Sequence, residues 1–414
     1  AVMRTKLGPF PLGINNRRDE TDLSVRIERS TIDLLKGAVN VDIVDGGILR
    51  RRAGTTLLLP DPVHSLWGDG GPTGYAVRGT ELLALDARGG VRVVQGGMVP
   101  HRPVSFTRLN GVVYFSDGLR LGVLRDAQAL ELTPTPSQEP EVQARGEGSL
   151  DAGRYLLVFT VFGPMGESAA TEPVLVEVAE SQQGQGSIYM SGLPLVPPGM
   201  ELRCYMTGPN GSMFHRAEMA EFGGAALITT HADTGALAET MGLMPLPAGQ
   251  ILRAHKSRML CARDNLLFYS PAFAPLLADP VSGYVAFDAP ITMVRPCGQG
   301  VYVAAGRTYW FAGDLSLADM QEVLPYGALP ASDSQHPKSP ETVFWMSDCG
   351  LVRANSAGQV VNVQEDNLVI EGGTRAATYL RERGGQRHVI AATQSPGLAR
   401  GAVHASMDAE IVRY

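Results

Sequence analysis

The residues of this chain that could carry out chemistry are a few serines, histidines and carboxylates. Gly166-Glu167-Ser168-Ala169-Ala170 is one residue short of the Gly-x-Ser-x-Gly turn that presents a nucleophilic serine. That turn joins a strand to a helix, whereas the residues around Ser168 predict a turn between two antiparallel strands. We therefore interpret this segment as a structural turn.

The other reactive residue types form no recognisable pattern. Ser347-Asp348-Cys349-Gly350 is similar to turns of sialidase propellers but lacks the Thr-Trp that follows there, and we read it as a β-turn capped by Asp348. The eight histidines are scattered, with no His-Glu-x-x-His, Cys-x-x-Cys or Walker pattern. The sequence predicts no catalytic residue, no cofactor and no metal site, and hence no enzyme. A glycosidase-type carboxylate pair stays open, because its spacing is not readable from sequence.

Composition restricts the class of protein. The chain has 414 residues, 44% of them hydrophobic, and a net charge of −7, which argues against binding nucleic acid by bulk attraction. No run of about 18 apolar residues predicts a membrane-spanning segment. The four cysteines lie far apart, so we expect small buried thiols in a reducing cytoplasm: Cys204, Cys261, Cys297 and Cys349.

Short strands and tight turns recur along the chain. Asn110-Gly111 predicts a turn and Val112–Phe115 a strand, and similar units return three more times, at residues 263–273, 298–314 and 341–358. The units are about 30 to 45 residues long, which is the repeat length of propeller blades. Unbroken apolar strands such as VVYF and TVFWM fit strands buried on both faces. We predict an all-β fold, a β-propeller of about six blades.

The N-terminal region predicts a hairpin and a short helix. Val39, Val41 and Ile43 alternate with polar residues, and the turn at 45–47 leads to a return strand from Ile48. A short helix is expected around Ser30 to Lys36. Because the chain ends of a propeller usually share one blade, we expect the N-terminal strands to close the ring.

A Pro-rich linker at 133–148 interrupts the repeats. The following strand places Tyr155, Leu157, Phe159 and Val161 on one face, and about seven short strands predict a β-sandwich. The order Arg154–Val161, Gly166–Ser168, Leu202–Thr207 and Thr229–Asp233 resembles a fibronectin type III-like module. We predict a propeller first part at 1–134, the sandwich insertion at 135–248 and a propeller second part at 249–414.

The framework around the sandwich also resembles a known family. The segments "GINNRRDE", "AVNVDIVDGGILRRRAG", "LNGVVYFSDG", "RMLCARDNLLFYSPAFAP" and "GVYVAAGRTYWFAGD" are similar to the tail nozzle, or tail hub (stabilisation), proteins of short-tailed bacteriophages. The resemblance implies a propeller with a sandwich insertion, six copies of which form a ring below the connector. Expected partners are copies of itself, the connector or adaptor, other tail proteins, and viral DNA in transit without sequence-specific binding. The expected location is the virion tail, after synthesis in the host cytoplasm.

One cluster of charge is a candidate for interaction. Arg50-Arg51-Arg52, with Arg17-Arg18 upstream, could contact an acidic neighbouring subunit or a DNA backbone. The alternative is that these arginines point outward from an edge strand and discourage stray pairing. The negative net charge suits a conduit that must release DNA, and ordinary solubility explains it equally well.

Two other functions remain open. Propellers also bind or cleave glycans, and exposed aromatic side chains would favour that reading; Trp310 and Trp345 fall in apolar strands, so Trp67 is the better candidate. A scaffold propeller for protein partners is the third reading.

Overall fold

The computed structural model describes residues 8–52, 54, 57, 59–180, 186–231, 235–313, 315, 319–336, 339–369, 373–383, 386–394 and 409–413. These residues form strands and two single-turn 3-10 helices, Glu20–Asp22 and Asp45–Gly47. Two compact units emerge: residues 1–103, 264–266 and 285–414 make the first, and residues 104–263 and 267–284 make the second. None of the described residues belongs to a helix with the length and apolarity needed to cross a bilayer.

Two N-terminal ribbons and one meander begin the first unit. Their strands are β1 (Ser24–Ile27), β2 (Ser30–Asp33), β3 (Val41–Val44), β4 (Ile48–Arg51), β5 (His64–Trp67), β6 (Thr73–Arg78), β7 (Glu81–Asp86) and β8 (Val91–Gln95). The pairs β1-β2 and β3-β4 are separate two-stranded sheets, and β5-β6-β7-β8 is a four-stranded antiparallel sheet in chain order.

The second unit begins with one further meander and a pair of larger sheets. Its first strands are β9 (Ser105–Leu109), β10 (Val112–Ser116), β11 (Leu121–Arg125), β12 (Gln128–Leu130), β13 (Glu141–Leu150), β14 (Gly153–Gly163), β15 (Gly166–Glu167), β16 (Val174–Val178), β17 (Gly186–Ser191), β18 (Glu201–Met206), β19 (His215–Ala217), β20 (Ala220–Phe222) and β21 (Ala225–Ile228). Strands β9 to β12 form a meander. Sheets β13-β17-β21-β20 and β15-β14-β18-β19, with β16 on β14, are the two larger ones.

The remaining strands complete the chain: β22 (Met244–Pro245), β23 (Ile251–His255), β24 (Arg258–Arg263), β25 (Leu266–Tyr269), β26 (Leu277–Ala278), β27 (Tyr284–Ala286), β28 (Met293–Cys297), β29 (Gly300–Ala305), β30 (Arg307–Phe311), β31 (Met320–Leu324), β32 (Ser334–His336), β33 (Ser339–Ser347), β34 (Gly350–Asn355), β35 (Val360–Asn362), β36 (Arg375–Arg383), β37 (Gln386–Gln394) and β38 (Ala409–Arg413). They give four-stranded sheets β23-β24-β25-β27, β28-β29-β30-β31 and β32-β33-β34-β35, the three-stranded β36-β37-β38, and a β22-β26 pair.

Five described sheets are thus four-stranded and follow chain order, and a three-stranded sixth continues the series. Up-and-down sheets of this size are the blades from which propellers are built. The prediction of an all-β fold with about six blade-like sheets is confirmed. The closing of the ring by N-terminal strands stays a prediction.

Strand β33 shows why its sequence is uniformly apolar. Val343 and Trp345 lie in a core shared with strands β28 to β30, whereas Phe344 and Met346 lie in a core shared with β36 and β37. Because successive side chains of a strand point to opposite faces, each face of this sheet packs against a neighbouring sheet. The prediction of strands buried on both faces is therefore confirmed.

The larger sheets of the second unit enclose one core. Tyr155, Leu157 and Phe159 pack with Ile188 and Met190 from the opposite sheet, as the predicted sandwich requires. All sandwich strands fall within 135–248. The resemblance to a fibronectin type III module and the domain boundaries stay predictions, and the compact units divide the chain at other residues.

Some local predictions were wrong. The linker predicted at 133–148 ends at residue 140, because Glu141–Leu150 forms β13. Residues Ser30–Asp33 form β2 rather than a helix, because Thr31 and Ile32 pair with Arg26 and Val25 across a turn in which Glu28 has a positive φ. Such cross-strand pairing outweighs weak helix propensity. Cys349 is exposed, whereas the other three cysteines are buried as expected.

Candidate interaction surface

The N-terminal segment is fastened to a distant part of the first unit. The side-chain amide of Asn16 donates to the carbonyl of Val369 at 2.8 Å, and its oxygen accepts the amide of Val369 at 2.7 Å. The backbone of Asn16 donates to the carbonyl of Asn367 at 3.1 Å, and Asn15 donates to the Asn367 side chain at 3.2 Å. We call this contact the asparagine clasp, Asn15–Arg17 on Asn367–Val369.

Arg17 belongs to this clasp, and Arg18 follows it directly. The Asn15 side-chain oxygen accepts both of their backbone amides, at 3.1 and 3.2 Å, which fixes the turn. The Arg17 guanidinium donates to the Leu368 carbonyl at 3.3 Å, and the Arg18 guanidinium lies 3.4 Å from Asp22. Both side chains are therefore held by their own chain, which leaves them little freedom to bind a partner.

The other three predicted arginines lie on the β3-β4 hairpin. We call residues 39–52 the arginine ribbon. Asp42 pairs with Arg50 in the register, and Val41 pairs with Arg51. Arg50 and Arg51 point to opposite faces, and both are exposed, with no ion-pair partner among the described residues. These are the two predicted cations that remain available for intermolecular contact.

Arg52 has a different environment. Its Nε lies 3.2 Å from the Asp42 carboxylate, which also lies 3.6 Å from the Arg381 guanidinium on β36. The ion pairs connect the ribbon to the last sheet. The alternative reading of outward arginines on an edge strand therefore describes Arg50 and Arg51 but not Arg52.

Aliphatic side chains accompany the arginines. Val39 is 91% exposed and Ile48 is 60% exposed, although both are large apolar residues. The ribbon is anchored at its turn, where the amide of Phe10 donates to the Gly47 carbonyl at 2.8 Å. Gly47 has φ +78°, and a Cβ there would lie 2.2 Å from the Phe10 carbonyl carbon, so only glycine fits.

Ser168, in the segment compared with a nucleophile turn, and Ser347, in the predicted β-turn, have structural roles. The Ser168 hydroxyl accepts the Val161 amide at 2.9 Å and donates to the Ala169 carbonyl at 2.9 Å. The Ser347 hydroxyl accepts the Cys349 amide at 3.2 Å and donates to the Gly350 carbonyl at 2.8 Å. The turn at 347–350 is thus capped by Ser347, and the expectation that Asp348 caps it was wrong.

Sequence reasoning missed a repeated buried serine. Ser116, Ser270 and Ser347 each follow an apolar strand, and each is buried with its hydroxyl bonded to backbone. Ser116 donates to the Gly249 carbonyl at 2.7 Å, and Ser270 accepts the Met259 amide at 2.9 Å. The signal was present as a serine at the end of VVYF, LLFY and TVFWM.

One polar cluster lies in the sandwich. Glu167 accepts hydrogen bonds from Thr160 at 2.5 Å and from the Tyr205 hydroxyl at 2.7 Å, and Arg203 lies 3.5 Å away. Burial, and secondarily the bond to the Glu167 carboxylate, raise the pKa of Tyr205 to about 12. The Glu167 carboxylate thus has its hydrogen-bond donors and its cation within the same chain, as in a structural network.

The remaining candidates give no site. Trp310 and Trp345 are buried in the core, as predicted, and Trp67 is half-buried against Tyr75 with ring centroids 6.1 Å apart. His215 is buried on β19, where its Nδ1 contacts the Gly235 carbonyl at 3.0 Å. Within the described ranges, His, Cys, Asp and Glu form no group of three or more that could hold a metal.

Comparison with known proteins gives only distant likenesses. No family model matches the sequence, and no curated protein matches it. The Neurospora crassa Pan2 WD40 domain shares 10% identity, with 81% of this chain and 88% of that chain covered and a TM-score of 0.36. Hsv2 of Kluyveromyces lactis shares 9% identity (80% and 92% covered, TM-score 0.32). The WD40 domain of SCAP from fission yeast shares 8% (86% and 75%, TM-score 0.28). TM-scores this low support no inference about fold or function. The fold class is assigned from the observed sheets alone.

Proposed function

We propose that this chain is a non-catalytic structural protein that works by binding other proteins, and that it forms the ring-shaped tail nozzle of a short-tailed phage. The observation that carries the proposal is the arginine ribbon, whose cationic and aliphatic side chains are exposed while its base is fixed. The resemblance of the sequence segments to tail nozzle proteins supplies the finer role.

The ribbon has the properties of a surface that becomes buried on assembly. An isolated two-stranded hairpin is marginally stable in water, so its exposed aliphatic residues gain from being covered. Arginine beside apolar side chains is a composition enriched at protein interfaces. The Gly47 contact and the ion pair between Asp42 and Arg381 preorganise the ribbon, which lowers the entropy cost of association.

The charge of the whole chain fits passage rather than retention of DNA. A net charge of −7 disfavours binding of phosphates, and lysine and arginine contacts would slow release of a genome. In this proposal DNA passes through the ring without sequence-specific contacts. The connector and other tail proteins dock on its surfaces in the virion tail, after synthesis in the host cytoplasm.

The test is quantitative mass spectrometry of purified particles of the phage or induced prophage that encodes the chain. We expect about six copies per particle, the number of a closed cyclic ring. Absence from particles, with the protein present in infected cells, would exclude the nozzle role and leave a protein-binding scaffold.

A further inference from the structure

Charge is divided very unevenly along the chain. Residues 135–248 contain 13 Asp and Glu but four Arg and no Lys, a net charge of −9, whereas the remaining residues carry a net charge of +2. The sandwich is therefore an acidic body within a chain whose other parts are slightly basic. Such asymmetry favours contacts between unlike regions of two molecules.

Five of these 13 acidic residues lie exposed along one edge of the sandwich. Strand β13 is the outermost strand of one sheet, β16 is an outer strand of the other, and the two lie beside each other. We call this the acidic edge. Its exposed carboxylates, none of which forms an ion pair with a described residue, are Glu141, Glu147, Glu172, Glu177 and Glu180.

The acidic edge also carries apolar surface. Leu175, on β16 between two of these carboxylates, is 58% exposed. Arg145 lies on the same strand as Glu141. Its guanidinium stacks on the Tyr189 ring, 3.6 Å from the ring centroid. An exposed aliphatic group flanked by free carboxylates is the complement of the arginine ribbon, which presents Ile48 and Arg50 on one face and Arg51 on the other.

From this complementarity we propose that the arginine ribbon of one copy binds the acidic edge of the next copy. The proposal rests on the proposed function, which it deepens by naming the surfaces through which copies associate. Two different patches of one chain make a head-to-tail contact, and such contacts generate a ring when the rotation closes. The occupant of the acidic edge is a second copy of this chain.

Charge reversal on each side separates this contact from general effects. R50E/R51E and E177K/E180K each place like charges together, and we expect each to weaken self-association by about a hundredfold or more. Analytical ultracentrifugation of the full chain measures the association. Melting followed by circular dichroism checks that these exposed substitutions leave the fold intact.

Mixing the two variants gives the decisive result. The glutamates of one ribbon then meet the lysines of the other edge, and the wild-type ribbon meets the wild-type edge at the next contact. We therefore expect an equimolar mixture to regain assemblies in which the variants alternate. If neither variant associates alone and the mixture also fails to associate, the proposal is overturned.

Matched controls carry the same change of charge elsewhere. R26E/R29E alters two exposed arginines of the β1-β2 ribbon, and E218K/E221K alters the opposite edge of the sandwich. Both should assemble like the wild type; loss of assembly in either would show an effect of net charge and overturn the contact.

The outcomes also separate this contact from the proposed function. Ribbon and edge variants that assemble like the wild type would overturn the contact and leave the ring intact. A wild-type chain that stays monomeric at its highest soluble concentration would overturn both the contact and a self-assembled ring.

Discussion

At the scale of single residues, the buried serines connect the repeated strands to their surroundings. The Ser116 hydroxyl bonds both the Gly249 carbonyl and the Gly118 amide, at 2.7 and 3.1 Å. Each such serine occupies the position where an apolar strand ends and its backbone would otherwise lose hydrogen bonds. Each hydroxyl satisfies buried backbone polar groups. Removing it would leave those groups without a hydrogen-bond partner and lower the stability of the fold.

We expect Ser116→Ala to lower the free energy of unfolding by about 1 to 3 kcal/mol, because a buried carbonyl and an amide lose their partner. Denaturant unfolding measures the change. Ser137→Ala, at an exposed linker position, is the control and should leave stability unaltered. Equal stabilities of the two variants would contradict this role for the serine.

Tyr205 gives a prediction about alkaline pH. Its pKa is about 12 in the folded chain, against about 10 for an unperturbed tyrosine. Between these values the unfolded chain has lost the phenolic proton and the folded chain keeps it, so the free energy of unfolding falls as pH rises through this window. The contribution is fully present below about pH 10.

Tyr205→Phe should reduce this fall, since phenylalanine has no proton to lose. Unfolding by denaturant at several pH values between about 9 and 12 compares the two proteins. The variant also isolates Tyr205 from Tyr114, whose pKa burial likewise raises. Parallel curves for the variant and the wild type would show that Tyr205 ionises normally.

At the scale of elements, the asparagine clasp holds the N-terminal segment in place. Asn16 makes two side-chain hydrogen bonds with Val369, so Asn16→Ala should weaken the local structure by about 1 kcal/mol. Asn16→Asp keeps the acceptor but sets a carboxylate oxygen against the Val369 carbonyl, so it should not preserve the contact. Hydrogen exchange should become faster at the Asn16 and Val369 amides in both variants.

The clasp prediction has a clear contrary result. Exchange at these amides that is unchanged in Asn16→Ala would show that other contacts hold the segment. Amides of the sandwich, such as that of Phe159 in β14, serve as the internal reference, because they belong to the other compact unit.

Local pattern was enough to predict most elements but not their long-range contacts. The turn at 45–47 and the strand that begins at Val112 follow from glycine positions and local pattern, which act within a few residues. The Ser30–Asp33 strand was missed because its partner, rather than its own propensity, decides its conformation. Nothing in one sequence pairs Asn16 with Val369, since the two are 353 positions apart.

The candidate surface was predicted only in part for the same reason. The arginine runs can be read from the sequence. Only the structure shows that Arg50 and Arg51 are exposed, whereas Arg52 forms an ion pair with Asp42. Arg17 was expected to face a partner and instead contacts Leu368. Which cations are free depends on tertiary contacts, which charge patterns alone do not show.

At the scale of the whole molecule, the separation of charge makes association sensitive to salt. Attraction between exposed charges is screened over about 10 Å at 0.1 M ionic strength and about 3 Å at 1 M. We expect the dissociation constant of self-association to rise about tenfold or more between about 0.05 and 0.5 M sodium chloride. Ultracentrifugation measures it, and association that strengthens with salt would indicate an apolar contact instead.

The clasp also has a consequence for the order of events during synthesis. Asn16 leaves the ribosome some 350 residues before Val369 does, which is about 20 to 70 seconds at ordinary rates of elongation. Throughout that interval the segment that supports the Gly47 turn is held only by nearby residues such as Leu35 and lacks its hydrogen bonds to Asn367 and Val369. A chain truncated before these residues would therefore hold its N-terminal segment by fewer contacts than the full chain does.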